Sequence, residues 1–120
     1  MATYTKLNLS ASTDGRGIKV TQTATAGDTI HTCSNNAGEM DEVWLYAYNS
    51  AAADVNLTIE MGGATAPDDN ILAAIPSKAG LYLVVPGLVI KGNATPLVIK
   101  AFAATANVVV VFGYVNRITA

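Results

Sequence analysis

Charge is scarce in this sequence: Asp, Glu, Lys and Arg make up 13% of its 120 residues, about half the share usual in soluble chains. With 51% hydrophobic residues the chain is too apolar for a disordered tail, and its length suits one ordinary domain. Its surface must therefore be rich in Ala, Thr, Ser, Asn and Gly, or a large part of it must be covered. The basic residues Lys6, Arg16, Lys19, Lys78, Lys91, Lys100 and Arg117 are scattered and the net charge is −2. No basic patch exists to neutralise phosphates, so nucleic acid is not an expected partner.

Cysteine is nearly absent as well. Cys33 alone cannot form an internal disulfide, and Met1 to Lys6 lack the apolar h-region of a secretory signal, so folding in a cytoplasm is expected. On that expectation the sequons at Asn8, Asn56 and Asn93 carry no weight. Long hydrophobic runs are missing too. Ala79 to Ile90 and Val108 to Val115 are interrupted by Gly or Pro or fall far short of the roughly 20 residues that span a bilayer. No transmembrane helix and no membrane partner are expected.

What is present is β-branched. The chain holds 12 Val, 8 Ile and 13 Thr, and no segment keeps a helical apolar period. Val55 to Met61 alternates, with Val, Leu, Ile and Met on one face and Asn, Thr and Glu on the other, and stops at Gly62-Gly63. Glu42 to Asn49 is apolar on both faces: Val43, Leu45 and Ala47 against Trp44, Tyr46 and Tyr48. The short connection between these two strands predicts a hairpin. A second hairpin is predicted between Leu97–Ala103 and Val108–Arg117. Ile18 to Thr25 and Thr29 to Cys33 read as further strands. Pro76, Pro86 and Gly92 cut residues 71–91 into three brief ones. The expected fold is all-β: a sandwich of two antiparallel sheets of jelly-roll type with roughly eight or nine strands. It comprises one domain over residues 18–120, preceded by residues 1–17, which hold one weak strand (Tyr4 to Leu9) and read as an N-terminal arm.

Chemistry is hard to find. His31 is the one histidine and stands two residues from Cys33. Strand geometry puts the two about 7 Å apart on one face, and no third group is evident to orient the imidazole, so a nucleophilic pair is not expected. One Cys and one His fall short of a structural zinc site. Asp68-Asp69-Asn70, with Asp54 or Glu60, offers oxygen ligands but no calcium-loop spacing, and reads better as a solvated turn. Neither Gly62-Gly63 nor Gly15-Arg16-Gly17 precedes a helix, so no phosphate cradle is formed. No enzyme activity, metal or cofactor is expected.

The aromatic ladder Trp44, Tyr46 and Tyr48 has three open roles: core packing, a subunit contact, or a platform for sugars. A small sandwich hides one face of each sheet, yet residues 43–48, 81–85 and 108–115 are apolar on both. At least one outer face should therefore be covered by another chain. The candidate interface residues are Trp44, Tyr46, Tyr48, Tyr82, Val84, Val109, Val111, Tyr4 and Leu7.

The succession Asp41-Glu42-Val43-Trp44-Leu45-Tyr46-Ala47-Tyr48-Asn49, Val55 to Gly63, Gly80 to Leu88 and Ala101 to Ile118 resembles the capsid decoration, or cement, proteins of tailed bacteriophages over roughly residues 18–118. The resemblance implies a β-rich virion structural protein without catalytic residues. It would be folded in the host cytoplasm and placed on the capsid exterior, where it bridges neighbouring subunits of the major capsid protein. It also implies a homo-oligomer, a trimer before a dimer. The alternative is a receptor- or glycan-binding module of a tail or head fibre.

Overall fold

Alternation in the sequence becomes alternation in space. Along Glu39–Asn49, Asp41, Val43, Leu45, Ala47 and Asn49 are buried, while Glu42, Trp44, Tyr46 and Tyr48 between them are half-buried on the other side, as a pleated strand requires. The structure, a computed structural model, describes residues 2–119 and contains no helix among them. Nine strands follow in chain order: β1 (Thr3–Asn8), β2 (Ile18–Lys19), β3 (Asp28–Thr32), β4 (Glu39–Asn49), β5 (Val55–Met61), β6 (Asn70–Ile75), β7 (Tyr82–Lys91), β8 (Val98–Ala103) and β9 (Val109–Thr119).

They form two antiparallel sheets that pack as a sandwich. The first runs β1-β9-β4-β7, with β2 also on β9, and the second runs β3-β8-β5-β6. The ladders nest: β1 pairs with β9, β3 with β8, β4 with β7 and β5 with β6. Val43, Leu45 and Ala47 of β4 and Val109, Val111 and Val115 of β9 meet Leu57 and Ile59 of β5 and Ile99, Ala101 and Ala103 of β8 in one core.

Nesting overturns both predicted hairpins. β4 and β5 lie in different sheets, as do β8 and β9, because each strand buries one apolar face and those faces meet across the core instead of side by side. Asn49 makes the first crossing possible. Fully buried at the end of β4, its Nδ2 donates to Ala53 O at 2.9 Å and Ile75 O at 3.0 Å, and its Oδ1 accepts from Ala51 N at 2.9 Å. The side chain thus stands in for backbone partners where the chain leaves one sheet for the other. Among the described residues, β5 and β6 are the only consecutive strands that form a hairpin.

Two local expectations change too. Residues 20–25 are not strand: the Asp28 carboxylate accepts from the backbone N–H groups of Thr21 and Gln22 and turns the segment away from β9. Pro86 does not end its strand, because β7 lies at a sheet edge, where a missing N–H is tolerated. The ladder to β4 slips around Pro86 and Gly87, and Gly87 takes φ +81°, beneath the Trp44 ring. Residues 3–8, within the span read as an arm, form β1 on the edge of β9 from Thr3↔Thr119 to Asn8↔Tyr114.

Leu45 is fully buried at the centre of this core. Leu45→Ala is expected to lower stability by about 2–5 kcal/mol, read as a lower urea midpoint with an unchanged slope.

Candidate functional site

A buried polar cluster and an outward aromatic face stand out. The cluster centres on Asp41, which the alternation of β4 sends inward together with Val43. Arg117 is its ladder partner on β9 and grips it bidentately, Nε to Oδ1 at 2.8 Å and Nη2 to Oδ2 at 2.9 Å. From the opposite sheet His31 of β3 reaches the same carboxylate, Nε2 to Oδ2 at 2.8 Å. The backbone N–H of Ser10 donates to His31 Nδ1 at 3.1 Å. A donor at Nδ1 means that this nitrogen carries no proton, so Nε2 holds it and donates to Asp41.

A group that orients the imidazole therefore exists, against the sequence expectation. Asp41 and Arg117 escaped notice because they lie 10 and 76 residues away from their partners. The signal that reveals them is parity: Asp41 shares the inward phase of Val43 and Leu45, and Arg117 that of Val115. Burial raises the Asp41 carboxyl, but the hydrogen bonds from Arg117 and His31 outweigh it and hold the group below its ordinary range. Hydrogen bonding to Asp41 raises Arg117 in turn.

The arrangement is a poor nucleophile and a poor metal site. Donor atoms of His31, Cys33 and Asp41 lie within 4.8 Å of one another. Burial, with the Asp41 charge adding to it, pushes the Cys33 thiol up to about 12, so no thiolate forms at neutral pH. Both imidazole nitrogens are engaged and the guanidinium already supplies the cation beside Asp41. A metal would have to displace Arg117 and strip Cys33 of its proton. A groove of ≈ 440 Å³ bordered by Asn8, Ser10, Ser34 and Asn35 reaches the cluster.

Glu60 is a second buried carboxylate, absent from the expected interface set. It accepts from Thr25 Oγ1 at 2.9 Å and Gly27 N at 2.7 Å, pinning residues 25–27 over β5 beside a cavity of ≈ 220 Å³. Asp69 accepts from Thr65 N at 3.0 Å within the turn that leads into β6.

The outward face of the first sheet carries the aromatics. Ladder partners share a face, so the registers Tyr4↔Ile118, Trp44↔Tyr114, Tyr46↔Phe112 and Tyr48↔Val110 put these side chains together outside the core. Trp44 stacks on Tyr114 with centroids 6.3 Å apart and planes 12° from parallel. Lys6 Nζ sits 4.8 Å from the Tyr114 centroid. Trp44 Nε1 and Asn116 Nδ2 both donate to Glu42 Oε1 at 2.9 Å, which holds that carboxyl below its usual range. Of the other interface candidates, Tyr4 and Tyr82 are exposed, while Leu7 and Val84 are half-buried against the core. Val109 and Val111 are corrected: both are buried inward, and the outward residues of β9 are Val110, Phe112 and Tyr114. The strand that reads as apolar on both faces is thus divided by the pleat, with Val110, Phe112 and Tyr114 out and Val109, Val111 and Val115 in.

Comparison of the chain with protein-family models, curated proteins and solved structures finds no match.

Asp41 gives stability that is present above the unfolded carboxyl's value and is lost as pH falls through its lowered folded value. At neutral pH Asp41→Asn is expected to cost about 3 kcal/mol, since it leaves Arg117 without its anion. The gap to wild type should shrink as pH drops below the carboxylate range, measured by denaturant melts along a pH series. Cys33 is expected to react with a thiol reagent only on the unfolding timescale, scored by absorbance with and without urea.

Proposed function

We propose that this protein is a non-catalytic virion component that decorates a bacteriophage capsid as a homo-oligomer, trimer before dimer, by bridging neighbouring subunits of the major capsid protein. One observation carries the reading: the outer face of the first sheet is apolar and aromatic across its strands, and the β7 edge extends it with exposed Leu83 and Val89, the ladder partners of Tyr46 and Glu42. Exposed apolar surface gathered in this way marks a contact with another chain. The reading takes the nested two-sheet sandwich as one of jelly-roll type, an architecture used by viral capsid domains and also by lectins. A clamp of this kind needs contact area and repetition around symmetry axes, not reactive groups.

The lectin-like alternative needs a free aromatic face for a sugar to stack on. Across the sheet Lys6 sits on Tyr114, Tyr114 on Trp44, and Trp44 against Gly87, where an added Cβ would stand 2.9 Å from the ring. These stacking faces are engaged from within, which favours packing against a protein surface.

Leu83→Lys with Val89→Lys places two charges on half-exposed positions of that face. The pair should leave the thermal midpoint nearly unchanged while weakening cosedimentation with expanded shells at least tenfold, about 1.4 kcal/mol. Wild-type protein that is a monodisperse monomer by light scattering and does not sediment with shells would overturn the reading.

A further inference from the structure

We propose that His31 is an acid-operated latch on the N-terminal segment. After β1 the chain leaves the first sheet and lies against the edge of β3 in the second. Three hydrogen bonds hold it there: Ser10 N–H to His31 Nδ1 at 3.1 Å, Thr32 N–H to Ser10 Oγ at 2.7 Å, and Ala11 N–H to Ile30 O at 3.3 Å. Leu9, just before them, is buried in the core. The first of these bonds uses the lone pair that an added proton would take.

His31 Nε2 is committed to Asp41, so Nδ1 is the one ring position left for a proton. A proton there meets the Ser10 N–H donor to donor, and the acceptor is lost. The charged and titratable groups around the ring are Asp41 from β4, Arg117 from β9 and the Cys33 thiol just beyond β3. Residues 9–11 bring no titratable side chain to receive the new N–H. Asp41, held below its ordinary range by its hydrogen bonds, stays anionic where an imidazole charges and draws the proton in, while Arg117 opposes it. Proton and Ser10 thus compete for one lone pair, and by linkage each disfavours the other. On acidification residues 9–11 lift from β3, opening the edge beside the groove that Asn8 and Ser10 line. The inference does not rest on the capsid reading.

The chain has a single histidine, so its imidazole nitrogens give one assignable set of NMR signals. Near neutrality the ring should be the Nε2–H tautomer. On acidification Nδ1 should take up a proton. With the same midpoint, amide exchange at Ser10, Ala11 and Thr32, corrected for its intrinsic pH dependence, should accelerate about tenfold or more. The amide of Leu45 should stay protected. In His31→Gln, which keeps a donor for Asp41 but cannot titrate, that acceleration should vanish. An Nδ1–H tautomer, a ring that titrates while the three amides stay protected, a ring that does not titrate before global unfolding, or equal acid opening in the variant would each overturn the latch. Should the variant fail to fold, the coincidence of the two wild-type midpoints decides by itself.

Discussion

The Asp41 carboxylate is fully buried between the sheets and is matched by three donated hydrogen bonds, two from Arg117 and one from His31. A carboxylate in that position without partners would cost several kcal/mol, so the strands that carry the partners are not free to shift. Asp41 and Arg117 face each other in the β4–β9 ladder. A slip of one residue would turn Arg117 to the outer face and strand the charge, and with it would invert every apolar side chain of β9. His31 extends the constraint across the core to β3, and through Ser10 to the N-terminal segment. Hydrophobic burial drives the sandwich together, but this ionic contact sets how its central strands line up.

Much of this fold could be read from the chain because pleating is a local rule. Val55 to Met61, Glu42 to Asn49 and the segments before Pro76 and Gly92 all become strand. Pairing is not local, and the reading failed there. Residues 49–54 can close a hairpin or cross between sheets, and the deciding factor is the Asn49 side chain bonding to Ile75, far along the sequence. The buried cluster divides in the same way. Parity places Asp41 inward on sequence grounds alone, whereas Glu60 occupies an outward phase of β5 and is covered only because residues 25–27 fold over it. No periodicity within β5 carries that information.

The shortage of charge also has a location. On the outer face of the first sheet Glu42 is occupied by Trp44 and Asn116 and Lys6 lies over Tyr114, so the few charges present are drawn into the aromatic array. Such a surface is rigid before it meets anything: Trp44 is held by a hydrogen bond, a stacked ring and the glycine at position 87. A preorganised face loses little side-chain entropy on docking. Along β7 the irregular ladder around Pro86 and Gly87 hinders another strand from adding to the edge.

Nesting makes the first and last strands neighbours, and this gives the N-terminal segment its character. The β1–β9 ladder joins Thr3 to Thr119, the widest separation among the ladders, so its closure costs the most loop entropy. It also gains the least burial, since among the six residues of β1 only Leu7 is not exposed. A rung of that kind opens at low free energy while the core ladders stay shut. The loss of a single hydrogen bond inside β4 would vanish against the packing around Leu45. At Ser10 the same loss acts on a segment held by three hydrogen bonds and the anchoring of Leu9, where it is large enough to change which state is populated.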